Sequence, residues 1–252
     1  MGFIVVIPAR YGSTRLPAKP LREIAGKPLV QHVYECAKRS RADQVIIATD
    51  DDRIRRAAER FGAQVCMTKA SHATGSDRLA EVIASEKIAD DTVVVNLQGD
   101  EPLMPPSVID QVAENLSARP QASMATVCMR VLTVHELMDP HVVKVVTNRE
   151  GYALYFSRAP IPWDRDKFPL TRELPQDVKY FRHVGLYAYR AHFLSQFVNW
   201  PGCEIEKSES LEQLRALWHG DLIHVAEAVE RPGPGVDTED DLYHVTGLIQ
   251  QL

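Results

Sequence analysis

Apolar runs alternate with amphipathic segments through the first hundred residues, and this alternation limits the fold more than any other feature of the chain. The runs are "FIVVI", "QVIIATD", "AQVCM" and "TVVVNLQGD". Continuous runs of this kind are typical of strands buried on both faces, and the segments between them have helical spacing. One helix is expected to begin near Pro28. The pattern predicts an α/β fold with a mostly parallel central sheet and helices on both of its faces.

After residue 120 the alternation changes. The strand-like runs "ASMATVCMRV", "VVKVVTN" and "YALYFSR" follow one another without full helices between them. They predict either antiparallel additions to the sheet or an excursion used for dimer contact. Residues 159–185 are rich in proline and charge and are expected to form a long irregular loop, of a length that is usually functional. We also expect strands at 185–190 and 222–228, a helix around 208–220 and a terminal helix from about Thr238.

Composition and charge exclude several classes of protein. With 252 residues, 45% of them hydrophobic and 25% charged, the chain is expected to form a single domain over residues 1–252. A net charge of −5 argues against nucleic acid as a partner. The chain starts without the basic region of a signal peptide, and no apolar run approaches about 18 residues, so we expect a cytoplasmic protein without membrane insertion. The cysteines form no CxxC pair and are expected to be buried free thiols; they are Cys36, Cys66, Cys128 and Cys203.

The loop after the first predicted strand is basic. In "IPARYGSTRLPAKPL", residues 7–21, the cations Arg10, Arg15 and Lys19 lie close together. Ligands of open α/β sheets bind at the carboxyl ends of the strands, so a basic cluster there on an acidic protein indicates a small anion. The alternative is that these are ordinary solvated surface charges.

Acidic residues follow a later predicted strand. In "VVVNLQGDEPLMPP", residues 93–106, Asp100 comes directly after four apolar residues and a short polar turn. A carboxylate there could hold Mg²⁺ against a nucleotide phosphate, because Mg²⁺ prefers one or two carboxylates together with substrate oxygens and water. The alternative is a solvated turn in which Asp100 caps the next segment. Beside the basic loop, the carboxylate would complete a phosphate-transfer site.

A second carboxylate is delivered near the end of the chain. In "PGPGVDTEDDL", residues 232–242, a stiff turn places Asp237 just before a helix, with Thr238 as a possible N-cap. Asp237 is either a helix-flanking residue or a second metal ligand, since two carboxylates from distant segments are a common clamp in phosphoryl chemistry.

Several motifs together carry a family resemblance. They are "IPARYGSTRLPAKPL", "GKPLVQHV", "VNLQGDEP", "YALYFSRAPIPWDRD", "RHVGLYAYR", "SLEQLRALWHG" and "PGPGVDTEDDL". In this combination the chain resembles the 3-deoxy-D-manno-octulosonate cytidylyltransferases over essentially its whole length. The first loop is widespread among nucleotidyltransferases, whereas "YFSRAPIPWDRD" and "LEQLR" are far more specific.

The resemblance implies an activity, a cofactor and an assembly. It implies a Rossmann-like nucleotide-diphospho-sugar transferase fold, in which about 120–190 form an inserted strand-rich region for dimerisation and sugar binding. The expected reaction transfers CMP from CTP to 3-deoxy-D-manno-octulosonate (Kdo) with Mg²⁺, releasing pyrophosphate and giving CMP-Kdo for lipopolysaccharide assembly. A direct displacement at the α-phosphorus by the anomeric hydroxyl is expected, without a covalent intermediate. The resemblance also implies a homodimer.

The resemblance assigns residues to three groups. The nucleotide group is Arg10, Ser13, Arg15, Lys19, Arg78 and Asp100, of which Arg15, Lys19 and Asp100 are the catalytic residues. The metal ligands are Asp100 and Asp237. The sugar group is Gln98, Arg158, His183, Tyr187, Glu212 and Gln213.

Simpler structural roles stand beside three of these assignments. His183 could be a hydrogen-bonded structural histidine, Glu212 and Gln213 could lie on a solvated helix face, and Arg78 could be a helix-surface arginine. Two rival functions also remain. One is a cytidylyltransferase for another 2-keto sugar acid, such as N-acylneuraminate, and the other is a non-catalytic nucleotide sensor. The segments "FSRAPIPWDRD" and "LEQLR" argue against the first rival, and the presence of Arg15, Lys19, Asp100 and Asp237 argues against the second.

Overall fold

The apolar runs form strands and the amphipathic segments between them form helices. The computed structural model describes residues 2–13, 15–168, 173–175 and 177–251. Its strands, in chain order, are β1 (Phe3–Ala9), β2 (Glu23–Ile24), β3 (Lys27–Pro28), β4 (Gln44–Thr49), β5 (Gln64–Met67), β6 (Val93–Asn96), β7 (Met124–Arg130), β8 (Lys144–Thr147), β9 (Ala153–Ser157), β10 (Phe181–Arg190) and β11 (Ile223–Glu227). Its helices are α1 (Leu29–Lys38), α2 (Asp52–Arg60), α3 (Gly75–Ser85), α4 (Pro106–Ser117), α5 (Val134–Met138), α6 (Ala191–Phe197), α7 (Glu204–Glu209), α8 (Gln213–Trp218) and α9 (Glu239–Ile249).

The main sheet is mostly parallel on one side and mixed on the other. Its order is β11-β7-β10-β6-β1-β4-β5, and β8 and β9 extend it from β10. The strands β6, β1, β4 and β5 are parallel, as the repeated strand and helix pattern predicts. Strand β10 runs antiparallel to β6, β7 and β8, and β9 runs antiparallel to β8. The predicted antiparallel additions after residue 120 are therefore confirmed.

Alternate residues of β1 face two hydrophobic layers. Val5 and Ile7 pack in one cluster with apolar side chains of α1, α2 and α4. Ile4 and Val6 pack in a second cluster with apolar side chains of α3, α6 and α8. Because successive strand residues point to opposite faces, a strand that is buried throughout requires cover on both sides. The prediction of helices on both faces is confirmed.

Two boundaries differ from the predicted ones. The irregular segment expected over 159–185 includes residues 169–172 and 176, which lie outside the described residues. Its predicted end is too late, because β10 begins at Phe181 and pairs along the whole of β7. The helix expected around 208–220 is two short helices, α7 and α8. Ser210 between them has a φ of 52°, in the left-handed region, which ends a right-handed helix.

Other expectations have separate outcomes. All four cysteines are free and buried, as predicted. Among the described residues, no helix is both long enough and apolar enough to cross a bilayer. The single domain over 1–252 and the homodimer stay predictions.

Candidate functional site

A cavity of about 300 Å³ lies where the loops after β1 and β6 meet the start of α3. We call it the cation cavity. The structure places eight of the predicted site residues around it, which are Arg10, Ser13, Arg15, Lys19, Arg78, Gln98, Asp100 and Asp237. The carboxyl ends of β1 and β6 are neighbours in the sheet, so the loops that follow them converge. The expected meeting of the basic loop with the two acids is confirmed.

Lys19 joins the two predicted metal ligands. Its Nζ lies 2.6 Å from Oδ2 of Asp100 and 2.9 Å from Oδ1 of Asp237, and Nη2 of Arg15 lies 3.0 Å from the same Asp237 oxygen. Burial opposes the charge of Lys19, but the attraction of Asp100 and then of Asp237 outweighs it, so the pKa of Lys19 is raised. Both carboxylates therefore lie within hydrogen-bonding reach of one ammonium group. The side chain of Asp100 pairs with Lys19 rather than capping the next segment.

Asp237 reaches this position because its loop packs along the segment after β6. The amide of Val236 donates to the carbonyl of Asp100 at 2.8 Å, and the amide of Gly233 donates to the carbonyl of Leu103 at 3.2 Å. A Cβ on Gly233 would lie 2.5 Å from Cβ of Leu103, closer than two carbon atoms can approach. Glycine is therefore needed for the "PGPG" turn to lie this close. Thr238 then caps α9, as predicted.

The acids of the cation cavity suit a hard divalent cation that also binds substrate oxygens. Asp100 and Asp237 would hold Mg²⁺ in the way this ion usually binds, through two carboxylates with the remaining positions left to phosphate and water. Within the described ranges, no set of three or more His, Cys, Asp or Glu side chains could form a complete metal cage. Burial, and then the charges of Asp100 and Asp237, raise the pKa of neighbouring Glu101 to about 8.

Arg78 is buried rather than exposed on its helix. Its residue exposure is 3%, and Nη2 lies 3.1 Å from Oδ2 of Asp50, while Nη1 donates to Oγ1 of Thr68. The helix-surface alternative is wrong for this residue. Arg78 contributes a paired positive charge to the wall of the cation cavity.

Three residues at or just before the start of α3 line the cavity but were not predicted from the sequence. His72, Thr74 and Gly75 line the cation cavity. Thr74 and Asp77 form a capping box, and this spacing of a threonine and an acid was a detectable signal of a helix start. His72 Nε2 lies 2.5 Å from Oε2 of Glu81, and no local pattern marks it.

The predicted sugar residues, apart from Gln98, lie outside the lining of this cavity. His183 and Tyr187 on β10 have ring centroids 5.1 Å apart, and the Nε2 atom of His183 lies 2.9 Å from Oγ1 of Thr126. Burial, with a smaller contribution from the charge of Arg182, lowers the pKa of His183 to about 3. The imidazole is therefore neutral at physiological pH. The structure does give His183 the hydrogen bond that its simpler structural role requires.

Glu212 and Gln213 lie at the start of α8. Burial, and then the charges of Tyr189 and Glu212, raise the pKa of Tyr187 on β10, so Glu212 is close to that strand. Ser76 Oγ donates to Oε2 of Glu212 at 2.8 Å, and Ser76 directly follows the cavity residue Gly75. Burial raises the pKa of Glu212 despite this hydrogen bond. Gln213 is 5% exposed, so the solvated-face alternative is wrong for it, and its Nε2 has no hydrogen-bond partner among the described residues. We call His183, Tyr187, Glu212 and Gln213 the aromatic cluster.

Arg158 stands apart from the aromatic cluster. Its Nε donates to the carbonyl of Glu209 at 2.6 Å, and its Nη1 donates to the carbonyl of Pro140 at 2.9 Å. No partner for its Nη2 is found within the part of the chain that the structure describes. Arg158 is thus held by backbone oxygens and keeps unused donors on its terminal nitrogens.

Comparison with known proteins gives consistent results. The cytidylyltransferase family model matches residues 4–224. The chain is 57% identical to a 3-deoxy-manno-octulosonate cytidylyltransferase of Pseudomonas fluorescens, with 98% of each chain covered. It is 54% identical to the protein of that name from Idiomarina loihiensis, again with 98% of each chain covered.

A solved structure agrees with these relatives. CMP:2-keto-3-deoxy-manno-octonic acid synthetase complexed with CTP superimposes with a TM-score of 0.91 at 42% identity, covering 100% of this chain and 99% of the other. The family model and the relatives each extend over most of the chain, and the fold is the one that the resemblance implied. The chain belongs to the cytidylyltransferase family, among the 3-deoxy-manno-octulosonate cytidylyltransferases.

Proposed function

We propose that this chain transfers CMP from CTP to the anomeric hydroxyl of Kdo and releases pyrophosphate. The observation that carries the proposal is the arrangement of Lys19 between Asp100 and Asp237, with Arg15 beside them, in a cavity at the carboxyl ends of β1 and β6. Names of relatives that share more than half of their residues with the chain support Kdo as the acceptor, and the CTP complex of the structural neighbour supports CTP as the donor.

The cations of the cavity serve the triphosphate in this proposal. Lys19 at present neutralises the two carboxylates, which is the role a bound metal ion would take over. With Asp100 and Asp237 holding Mg²⁺, this ion would neutralise phosphate charge and lower the pKa of the attacking hydroxyl. Lys19, Arg15 and Arg10 then become available to the β- and γ-phosphates, where cations stabilise the charge that grows on the leaving pyrophosphate. Ser13 and Arg78 complete the nucleotide side.

The aromatic cluster, Gln98 and Arg158 serve the sugar acid in this proposal. Kdo carries one carboxylate and many hydroxyls, so it needs a cation at one end and neutral donors and acceptors along its length. Among the described residues, Arg158 keeps N–H groups without a partner that could bind the carboxylate, and charge-assisted pairs of this kind are the stronger ones. The Nε2 of Gln213, which has no partner in the part of the chain that the structure describes, and the neutral imidazole of His183 suit hydroxyl groups.

A pyrophosphate-release assay tests the proposal. Wild-type protein with CTP and Mg²⁺ should release pyrophosphate when Kdo is added and far less with N-acetylneuraminate. Chelation of the metal should abolish the release. Asp100→Asn should lower turnover about 100-fold, because a carboxylate that holds the metal is lost.

Glu239→Gln is the matched acidic control, since this exposed carboxylate pairs with Arg22 just beyond the cavity and should leave turnover near the wild-type value. Tight CTP binding without pyrophosphate release for any sugar acid would instead identify a nucleotide sensor. Faster release with N-acetylneuraminate than with Kdo would overturn the choice of acceptor.

A further inference from the structure

Glu209, the last residue of α7, contacts the end of β9 through both of its side-chain oxygens. Ser157 Oγ donates to Oε1 at 2.6 Å, and the backbone amide of Arg158 donates to Oε2 at 2.9 Å. Ser157 is 3% exposed, so its hydroxyl has little access to water. One carboxylate therefore accepts hydrogen bonds from two donors, and losing it would leave both of them without this acceptor.

The backbone of Glu209 holds the side chain of the same arginine. The Glu209 carbonyl accepts the 2.6 Å hydrogen bond from Nε of Arg158. The guanidinium is fixed on its other side by the carbonyl of Pro140. The turn that carries Pro140 is itself held from inside by buried Lys144, whose Nζ donates to the carbonyl of Asp139 at 2.8 Å.

Glu209 also directly precedes the short connection between α7 and α8. Ser210 follows with a φ of 52°, a left-handed conformation that is costly for a residue with a Cβ and therefore needs support from its surroundings. Glu212 and Gln213 come two and three residues later. A displacement of Glu209 would thus move Arg158 and the start of α8 together.

We propose that Glu209 is a positioning residue that sets the distance between Arg158 and the Glu212–Gln213 pair. The inference rests on the proposed function, in which Arg158 binds the carboxylate of the sugar acid and the pair binds its hydroxyls. The distance between Arg158 and the pair then determines which sugar acids bind, because the carboxylate and the hydroxyls of the sugar must have the same spacing. Glu209 itself touches no substrate in this arrangement and acts through its neighbours.

The kinetic test compares Glu209→Ala with Glu209→Gln. The alanine variant should raise the KM for Kdo about ten-fold, the effect expected for lost charge-assisted hydrogen bonds, while the KM for CTP stays within about two-fold of wild type. The glutamine variant should recover most of the loss, because an amide can accept from the Arg158 amide and donate to the Ser157 hydroxyl. Glu204→Ala is the control, since Glu204 is an exposed acid in the same helix.

A double variant separates positioning from a general loss of stability. If Glu209 acts through Arg158, then Glu209→Ala combined with Arg158→Ala should raise the KM for Kdo by less than the product of the two single effects. Independent, multiplicative effects would overturn the proposal, and so would a KM in Glu209→Ala no higher than in Glu204→Ala. Should Glu209→Ala not fold, Ser157→Ala removes one of the two carboxylate contacts and should give a smaller rise of the same kind.

Hydrogen exchange provides a readout that does not depend on the reaction. In Glu209→Ala the amides of residues 157–159 and 209–213 should exchange faster together, whereas Glu204→Ala should leave both segments unchanged. Unchanged exchange in either segment of Glu209→Ala would refute the positioning role. This result does not depend on which sugar acid the wild-type protein uses. A wild-type protein that released no pyrophosphate with any sugar acid would refute the proposed function alone.

Discussion

The cation cavity and the aromatic cluster are built from opposite kinds of side chain. The cavity contains formal charges that neutralise one another, and its groups are partly open to solvent, since the side chains of Lys19 and Asp100 are 15% and 31% exposed. The aromatic cluster contains two rings, an amide and one carboxylate; burial lowers the pKa of its histidine to about 3 and raises the pKa of Glu212. In the proposed reaction, the cation cavity would exchange ion partners when CTP binds, whereas the aromatic cluster would offer neutral donors and acceptors to the sugar acid.

This difference predicts different kinetic roles. Charges that switch from carboxylates to phosphates can interact more strongly as pyrophosphate leaves, so they lower the barrier of the chemical step. Hydrogen bonds to hydroxyls and to an unreacting carboxylate are similar in the ground state and the transition state, so they act mainly on binding. Substitutions in the two regions test this division.

Lys19→Ala should lower kcat about 100-fold or more, because it removes the cation that joins both cavity carboxylates and is available to the leaving group. Steady-state rates with saturating CTP and Kdo measure this effect. Lys27→Ala is the matched control, since Lys27 is an ion-paired lysine that contacts Glu35 rather than the cavity, and it should retain nearly full kcat. A wild-type kcat in Lys19→Ala would show that the cavity is not the triphosphate site.

Arg158→Ala should raise the KM for Kdo about 30-fold, which corresponds to a binding loss of about 2 kcal/mol. The KM for CTP should change much less. Arg158→Lys should restore only part of the binding, because an ammonium group cannot reproduce the planar set of donors. The exposed Arg165 pairs only with Asp166 among the described residues, and Arg165→Ala serves as the control. Weaker binding of CTP rather than Kdo would place Arg158 on the nucleotide side.

The smallest expected effect is the contribution of His183 to the pH dependence of the free energy of unfolding. Its folded pKa of about 3 lies below the ordinary value of 6.5, so protons bind preferentially to the unfolded chain. The stability contribution is therefore full above pH 6.5 and is lost as the pH falls towards 3. Between pH 6.5 and 5.5 the loss should be about 1 kcal/mol in the free energy of unfolding.

Denaturant unfolding of His183→Gln over the same pH range should show a shallower dependence than the wild type. His141→Gln removes an exposed histidine and should keep the wild-type slope. Equal slopes in all three proteins would mean that the His183 ring is not shielded from water.

The parallel half of the sheet and the basic loop could be predicted because their signals are local. A run such as Phe3–Ala9 shows its burial in consecutive residues, and Arg10, Arg15 and Lys19 lie within ten residues of one another directly after it. The start of α9 could be predicted for the same reason, because Thr238 is followed directly by acidic residues. The long strand β10 was only half predicted, since its first residues lie in a charged, proline-rich segment and owe their extended form to pairing with β7.

The sugar side could not be derived from spacing at all. Its assignment came from the resemblance of whole motifs to a known family, because no local pattern connects His183 with Glu212 or Gln213. The structure places the ring of His183 against that of Tyr187, and the charge of Glu212 acts on the same tyrosine. The structure also shows that Arg158 is held by two backbone carbonyls, a contact that no local pattern indicated.

By itself the sequence determined the order of strands and helices, the sites of the charged loops and the residue types that phosphate and metal chemistry require. Only the tertiary structure decided which distant groups meet: Asp237 beside Asp100 through the packing of the "PGPG" turn, and Glu209 on the end of β9. The physical reason is range. Burial patterns and helix caps act between residues a few positions apart, whereas a shared ion pair or a bridging carboxylate depends on how the sheet, its loops and its helices close around one another.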